Sequence, residues 1–200
     1  MCFKSLFQKP IEVAPVVYTS QKTIEELIRE KAQGMTDAQM AQLWYELDQL
    51  CFRELGECAV ETWEITAGEF ENTIKRDYPT LEGLKVSDSV YTVTDLKGLQ
   101  KILTRDWVNL VPYVANVFDC DAYGLVLAGH FQKYYEIKSV IPVWGDTSAG
   151  YHGFNLAVVK GIDGLIARLI EPQQDSIMVD VGMLGTYIPR SAVVNYGKLA

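Results

Sequence analysis

The stretch YHGFNLAVVKGIDGLIARLIEPQ, Tyr151–Gln173, contains two apolar runs joined by a short connection with two glycines. Apolar runs of this length on either side of a glycine-containing connection predict a β-hairpin. With Lys160–Asp163 as the loop, His152 lies directly opposite Glu171 on the neighbouring strand. The hairpin therefore predicts a histidine and a carboxylate side by side at the open end of the sheet.

The alternation of side chains along the two strands supports this register. One face carries His152, Glu171 and a set of apolar residues, namely Phe154, Leu156, Val158, Leu165, Ala167 and Leu169. A shift of one residue would place Glu171 on the opposite face from His152 and would mismatch the apolar sets as well. The predicted pairing of the histidine and the glutamate thus depends on an even number of loop residues.

A second stretch, VFDCDAYGLVLAGHF (Val117–Phe131), precedes the hairpin and has the spacing of a helix that starts near Cys120. One face of this helix is formed by residues at helical spacing: Cys120, Gly124, Leu127 and Phe131. We expect this stripe to pack on the hairpin face that carries His152. The start of the helix would then lie at the end of the hairpin, with Cys120 beside His152.

Two interpretations of Cys120 remain open from the residues alone. It can be a small buried hydrophobic residue, as most free cysteines are, or a nucleophile. A nucleophilic thiol needs an imidazole to move its proton and an acceptor to orient the ring, which His152 and Glu171 can supply. The start of a helix also favours a thiolate. His130 lies on the same helix, about three turns away, and is a poor candidate for the base.

The first part of the chain is predicted to be helical after a short arm. Residues 1–18 contain two prolines and are interpreted as an extended arm. Residues 19–83 form a helical region, in which Thr36 caps one helix and another covers about 57–76. The remaining region, residues 84–200, begins with a strand-like stretch over 86–95 and a short helix that ends at Leu103. A helix followed by a run of strands then indicates an α+β fold.

Composition and charge exclude several classes of function. The 200-residue chain has 18 basic and 26 acidic residues and a net charge of −8, which argues against nucleic-acid binding. Its 4 cysteines form no CxxC pair, so a cysteine-based zinc site is not expected. No apolar run has the length of a membrane span. We therefore expect a soluble, cytoplasmic protein with reduced thiols and no membrane contact.

Three short motifs together resemble a known family. The segments FDCDAY, GYHGFNLAVV and LIEPQ, in this order within residues 84–200, resemble the papain-like cysteine protease domain at the C-terminus of the fairy-ring mushroom agglutinin and its bacterial and phage relatives. The resemblance implies a papain-like core, with the helix that carries the cysteine packed on an antiparallel sheet that carries histidine and glutamate. It implies a Cys120, His152, Glu171 triad and calcium-dependent activity.

The resemblance also gives roles to residues near Cys120. Asp119 and Asp121 are candidate calcium ligands, because hard carboxylate oxygens suit this ion. Either can act without metal, Asp119 as the helix cap and Asp121 as an acid in the first helical turn. Papain-like enzymes usually have a glutamine six residues before the cysteine, where this chain has Val114, so Asn116 is the candidate oxyanion-binding amide. Residues 1–83 do not resemble the agglutinin's β-trefoil, and lectin activity is therefore not expected.

These observations predict a cysteine peptidase, a thiol hydrolase of amide bonds in a protein or peptide substrate. Two alternatives remain. One is a non-catalytic interaction module on a protease-like fold in a phage or bacterial assembly, and the other is a transglutaminase-like acyl transferase. The helical N-terminal region is the candidate contact surface for a homo-oligomer or an assembly partner.

Overall fold

The computed structural model describes residues 59–111, 113 and 118–192, together with positions 34–36, 39, 42, 45 and 46. Its strands, in chain order, are β1 (Thr62–Thr66), β2 (Val90–Thr94), β3 (Val140–Thr147), β4 (Gly150–Gly161), β5 (Gly164–Glu171), β6 (Ser176–Met178), β7 (Val181–Gly182), β8 (Gly185–Thr186) and β9 (Ile188–Ser191). Its α-helices are α1 (Ala67–Asp77), α2 (Leu96–Leu103) and α3 (Cys120–Tyr135), with a 3-10 turn at Val108–Leu110.

The predicted hairpin is the centre of the main sheet. This sheet has the strand order β6-β5-β4-β3-β9, and its neighbouring strands run antiparallel. Two small antiparallel pairs, β1 with β2 and β7 with β8, lie outside it. Helices combined with antiparallel sheets make the fold α+β, which confirms the predicted class.

The hairpin register differs from the prediction by two residues. Gly161 pairs with Gly164, so the loop consists of Ile162 and Asp163 alone. Gly164 has a φ of +130°, a conformation that glycine adopts without steric cost and that the tight connection requires. Because side chains alternate with a period of two, the shift leaves every residue on its predicted face. His152 and Glu171 still share a face, as diagonal neighbours and not as a direct pair.

Helix α3 packs on the opposite face of the sheet from the one expected. Leu127 and Phe131 contact the apolar cluster that contains Ala157, Val159 and Ile170. The Asn155 amide donates to the Gly124 carbonyl at 2.8 Å and fixes the helix on this face. The face that carries His152 is covered instead by α1 and the β1–β2 pair, through residues that include Phe70, Ile74, Tyr91 and Val93. The sheet is therefore covered on both faces.

The prediction of a helix over residues 57–76 is wrong for the first half of that range. Thr62–Thr66 is strand β1, which pairs with β2 from Thr62 opposite Thr94 to Thr66 opposite Val90. The helix α1 starts only after Thr66, whose hydroxyl accepts from the Glu69 amide at 3.2 Å while the Glu69 carboxylate accepts from the Thr66 amide at 2.8 Å. This capping box was readable as T-x-x-E, and the β-branched residues before it favour a strand.

The helix that the sequence predicts to end at Leu103 begins after Asp95. Asp95 follows β2 directly and its carboxylate accepts from the Gly98 amide at 2.6 Å. Helix α2 then ends at Leu103, as expected, with Leu99, Ile102 and Leu103 buried against the sheet. An extended strand that ends at an aspartate cap is thus a sequence pattern that predicted local structure correctly.

The chain divides into two units, Met1–Ala59 and Val60–Ala200. Strand β1 and helix α1 belong to the second unit. The boundary expected between residues 83 and 84 stays a prediction. In the first unit, the Thr36 hydroxyl accepts from the Gln39 amide at 3.4 Å, a contact of the kind that a helix cap makes. The extended arm over 1–18 and most of the helical region lie outside the described residues. Among the described residues, no helix is long and apolar enough to cross a membrane.

Candidate thiol site

Cys120 is the first residue of helix α3, as the sequence predicts. Its thiol is free and half-buried, so it is not the fully buried hydrophobic residue of the alternative interpretation. The backbone amides of a first helical turn and the helix dipole favour negative charge at this position. The location therefore favours a thiolate.

The two aspartates beside Cys120 act differently from each other. Asp119 precedes the helix as its N-cap residue, but its side chain makes no capping hydrogen bond, so the predicted capping role is wrong. Asp121 lies in the first turn, and its Oδ1 accepts a hydrogen bond from the Trp144 indole. The Cys120 thiol lies 3.6 Å from the same oxygen. The indole donor stabilises the Asp121 carboxylate and so reduces its repulsion of a thiolate.

His152 and Glu171 form the hydrogen bond that the hairpin predicts. The distance between His152 Nε2 and Glu171 Oε2 is 2.8 Å, and both side chains are buried. The predicted common face and hydrogen-bond reach are therefore confirmed, although the direct cross-strand pairing is not. Since Nε2 is bound to Glu171, Nδ1 is the ring nitrogen left for Cys120. The three residues thus form the row of thiol, imidazole and carboxylate that the sequence predicts, while their roles stay predictions.

The surroundings of His152 favour its charged form. Burial lowers the pKa of His152, but hydrogen bonds to Cys120 and Glu171 and the negative charges of both raise it, with a net result of about 9. Near neutral pH the ring is therefore an imidazolium. An imidazolium between a thiol and a buried carboxylate stabilises negative charge on both sides.

Glu171 has hydrogen-bond donors on both of its oxygens. The Tyr187 hydroxyl donates to Oε2 at 2.9 Å, and the Gln173 backbone amide donates to Oε1 at 3.1 Å. Together with His152, these groups satisfy a carboxylate that has no solvent exposure. A buried carboxylate without such partners would be strongly destabilising.

Gly153 allows the helix start to approach strand β4. A Cβ at this position would lie 2.9 Å from Asp121 Oδ1 and 3.1 Å from the carbonyl oxygen of Cys120. The missing side chain thus lets Cys120 reach the strand next to His152, although α3 packs on the face opposite to the one predicted. A glycine inside a strand often marks such a close backbone approach.

Two exposed tyrosines are influenced electrostatically by groups at the start of helix α3. Tyr151 is 64% exposed and Tyr113 is 54% exposed. Burial raises the pKa of Tyr113, and the negative groups Cys120, Asp119 and Asp121 raise it further, which places its ring beside the helix start. Burial and the charges of Asp146 and Asp121 raise the pKa of Tyr151 in the same way. Asp121 thus influences both of these accessible aromatic side chains.

The expected calcium site is only partly supported by the residues present. Asp119, Cys120 and Asp121 each place one possible ligand atom within 4.8 Å of the others. Calcium takes six to eight oxygen ligands, whereas this group offers two carboxylates and a soft thiol, and one carboxylate is bound to Trp144. These described residues do not form a calcium shell by themselves. Asn116, the predicted oxyanion-binding amide, and Val114 lie outside the described residues.

Sequence reasoning missed three residues of this site. Gly153 had a signal, because the motif YHGF places a glycine within a predicted strand. Trp144 was placed in a predicted strand, but nothing in its spacing indicated a bond to Asp121. Tyr187 approaches Glu171 from a distant part of the chain, and no local pattern predicts that contact.

No protein-family model matches the chain, and no curated protein matches it by sequence. Solved structures that are similar in fold include two of a lectin. One, described as "PSL1a-E64 complex", is of the Polyporus squamosus lectin and is 19% identical, with a TM-score of 0.53 over 64% of this chain and 50% of that chain. The other is "Polyporus squamosus lectin bound to human-type influenza-binding epitope Neu5Aca2-6Galb1-4GlcNAc", 20% identical, with a TM-score of 0.52 over 63% of this chain and 48% of that chain. The likeness shows the fold alone.

These comparisons contradict the predicted function. The similar structures are those of a lectin, and on this finding the predictions of a hydrolase and of a cysteine protease are wrong. The same structures do not support the predicted protein or peptide substrate. The same finding contradicts an enzyme that transfers acyl groups. The misleading feature was the row of Cys120, His152 and Glu171, since residue types and geometry indicate a reactive thiol without indicating turnover. The chain spans about half the length of the lectin structures that it matches.

Proposed function

We propose that this chain is a ligand-binding protein whose binding site is the Cys120 thiol, held as a thiolate beside the imidazolium of His152. The observation that carries the proposal is the bond of 2.8 Å between His152 Nε2 and the buried Glu171 carboxylate, behind a thiol at a helix start. The proposal includes capture of a ligand and no turnover.

The electrostatics of the site support positive charge on the ring beside the thiol. The pKa of His152 is about 9, since its bonds to Cys120 and Glu171 outweigh the opposing effect of burial. An imidazolium and a helix N-terminus both favour the thiolate, which is the reactive form of cysteine. Such a thiol binds electrophilic ligands covalently and polar ligands through charge-assisted hydrogen bonds.

E64 is the first candidate ligand, because one similar structure is described as a complex with it. Iodoacetamide is a simpler probe of the same thiol. Its reaction forms a bond from the Cys120 sulfur to carbon and breaks the carbon–iodine bond, and iodide leaves with the electron pair. Both compounds test whether the thiol is accessible and ionised.

The test is labelling of the native protein at pH 7, mapped by mass spectrometry. We expect Cys120 to be alkylated faster than the other three cysteines, and E64 to block that alkylation. His152→Ala should slow the labelling of Cys120 at least tenfold, whereas the matched variant His130→Ala should not. Preferential labelling of Cys51 or Cys58, with Cys120 unreactive, would overturn the proposal.

A carbohydrate is the second candidate ligand, favoured by the sialylated trisaccharide in the other similar structure. The exposed rings of Tyr113 and Tyr151 offer apolar faces next to polar groups, the combination on which sugar rings commonly rest. This candidate replaces the peptide partner that the sequence suggested. Calorimetric titration with Neu5Acα2-6Galβ1-4GlcNAc should give binding that Tyr151→Ala abolishes and Tyr45→Ala, an exposed tyrosine of the other unit, leaves unchanged.

At the level of architecture, we propose the finer assignment of a papain-like arrangement for this fold. It is supported by a helix that begins at Cys120 and contacts a sheet that carries His152 and Glu171. The assignment concerns chain topology and carries no activity with it. Calcium binding at Asp119 and Asp121, partners of the N-terminal region and a cytoplasmic location stay predictions.

A further inference from the structure

We propose that Tyr187 is a positioning residue of the thiol site, which fixes the Glu171 carboxylate for His152. The inference deepens the proposed function and rests on it. Tyr187 lies outside the predicted row of thiol, imidazole and carboxylate, in the short segment between strands β8 and β9.

Tyr187 and His152 bind the same oxygen atom of Glu171, Oε2. Its hydroxyl donates to Glu171 Oε2 at 2.9 Å, and His152 Nε2 lies 2.8 Å from the same oxygen. Two donors on one oxygen, with the Gln173 amide on the other, leave the carboxylate little freedom to rotate about its last bond. The orientation of Glu171, and through it that of the His152 ring, therefore depends on the Tyr187 hydroxyl.

The packing around Tyr187 holds the ring in this position. Its ring meets His152 edge-on at 6.0 Å and Phe154 edge-on at 5.2 Å between centroids, and the side chain is fully buried. The Leu184 amide donates to its hydroxyl oxygen at 3.3 Å, which leaves the hydroxyl proton for Glu171. A Cβ at Gly182 would lie 2.9 Å from the Tyr187 ring, so the absence of a side chain there makes room for it. Packing in the hydrophobic core therefore fixes the position of the Tyr187 hydroxyl.

The electrostatic surroundings of Tyr187 also favour the protonated phenol, which can donate a hydrogen bond to Glu171. Burial raises the pKa of Tyr187 well above its ordinary range, and the charge of Glu171 raises it further. The phenol therefore stays protonated wherever His152 titrates. The ionisable groups at this end of the sheet are Cys120 and Asp121 on α3, Glu171 on β5, and Asp146 on β3, which is bound to Arg190.

The decisive variant is Tyr187→Phe, which keeps the ring and removes only the donor. With one donor lost, Glu171 Oε2 can rotate away from His152, and the imidazolium loses part of its support. We expect the pKa of His152, followed by NMR of the two histidine rings, to fall by about one unit, a roughly tenfold change in its imidazolium-to-imidazole ratio. His130 serves as the internal reference and should not shift.

The matched control is Tyr78→Phe. Tyr78 is another buried tyrosine of the same core, and its hydroxyl donates to the Val179 carbonyl at 2.7 Å, with no contact to Glu171. It should lower the melting temperature as Tyr187→Phe does and leave the titration of His152 unchanged. A merely structural role for Tyr187 predicts the same behaviour for both variants, and that result would overturn the inference.

The outcomes for the inference and for the proposed function can be told apart. If His152 titrates near 6.5 in the unmodified protein, the imidazolium is not stabilised and the proposed function fails. If it titrates near 9 in both the unmodified protein and Tyr187→Phe, only the positioning role fails. Should Tyr187→Phe not fold, the NMR signals of the Tyr187 ring in the unmodified protein must shift as His152 titrates, and a ring that does not respond would contradict the role.

Discussion

Two histidine–carboxylate pairs lie in the same fold and have nearly the same hydrogen-bond distance, His152 through Nε2 and His130 through Nδ1. His152 lies 2.8 Å from Glu171, and His130 lies 2.7 Å from Asp106, with all four side chains buried. The surroundings differ. His130 packs between the rings of Trp107 and Tyr134, at 5.0 and 5.5 Å. His152 lies between its carboxylate and a thiol at a helix start.

The difference shows that the pair alone does not make a site. A buried imidazole with one carboxylate is a satisfied core contact, as His130 and Asp106 illustrate. His152 is also hydrogen-bonded to the Cys120 thiol, which contributes to its raised pKa and is a neighbour that can react. His152 differs from His130 in its position beside the start of helix α3, and not in the strength of its hydrogen bond to a carboxylate.

The largest expected difference between the two pairs appears when the carboxylate of each pair, Glu171 or Asp106, is replaced by the corresponding amide. Glu171→Gln removes the charge that supports the imidazolium, and breaking a buried pair of this kind costs about 3–5 kcal/mol. We expect a large loss in the free energy of unfolding, together with at least tenfold slower alkylation of Cys120 at pH 7. Asp106→Asn should destabilise the protein and leave the alkylation rate unchanged. Equal effects on alkylation would show that the two pairs are equivalent.

The pH dependence of stability should also separate the two histidines. The pKa of His152 in the folded protein is about 9, above the ordinary 6.5, so the folded state holds its proton more tightly. The stabilisation is complete below pH 6.5 and is lost as the pH rises through 9, an effect on the order of 2–3 kcal/mol. Urea unfolding at pH 6, 7.5 and 9 should show this loss in the unmodified protein and not in His152→Gln. A slope that survives in His152→Gln and disappears in His130→Gln would reverse the assignment.

A smaller contrast involves two glycines near the helix α3. At Gly153 an added Cβ would lie 2.9 Å from Asp121 Oδ1, so Gly153→Ala should push the helix start away and cost about 1–3 kcal/mol, with slower alkylation of Cys120. At Gly129, within α3, a Cβ meets nothing within 4 Å, and Gly129→Ala should stabilise the protein by about 0.5–1 kcal/mol. Thermal melting and labelling of both variants provide the comparison. Normal labelling in Gly153→Ala would show that the close approach is not needed.

The smallest expected effect is that of calcium. If Asp119 and Asp121 contribute to a site, calcium should raise the melting temperature, by mass action on the folded state, more than magnesium does. Asp119→Asn should reduce that response, whereas Asp88→Asn, an exposed acid bound to Lys138, should not. An unchanged melting temperature with millimolar calcium would mean that the two aspartates do not bind this ion.

Local sequence patterns predicted much of the fold, but they could not predict which elements contact each other over long separations in the chain. The alternation in Tyr151–Gln173 placed His152 and Glu171 on one face, and a register error of two residues did no harm because the period of a strand is two. The choice of sheet face for α3 was wrong, because both hairpin faces are apolar and the sequence cannot say which element covers which. The strand Thr62–Thr66 was missed for a related reason, since it is stabilised by its partner β2.

The candidate site was predictable where its residues are neighbours on elements with clear periods. Tyr187 contacts Glu171 only through the tertiary fold, so no spacing in the sequence marks it. Function was the least predictable part. Cys120, His152 and Glu171 indicate a reactive thiol, but what such a thiol does depends on the surface that delivers a ligand, which these three residues do not specify.

The most direct measurement of the proposed ion pair is the rate of Cys120 alkylation by iodoacetamide as a function of pH. A thiolate stabilised by the His152 imidazolium should react at pH 6 within about tenfold of its rate at pH 8.5. An ordinary thiol, with a pKa of about 8.5, would lose about a hundredfold over that range. A hundredfold loss in the unmodified protein, identical to that in His152→Ala, would contradict the ion pair of Cys120 and His152.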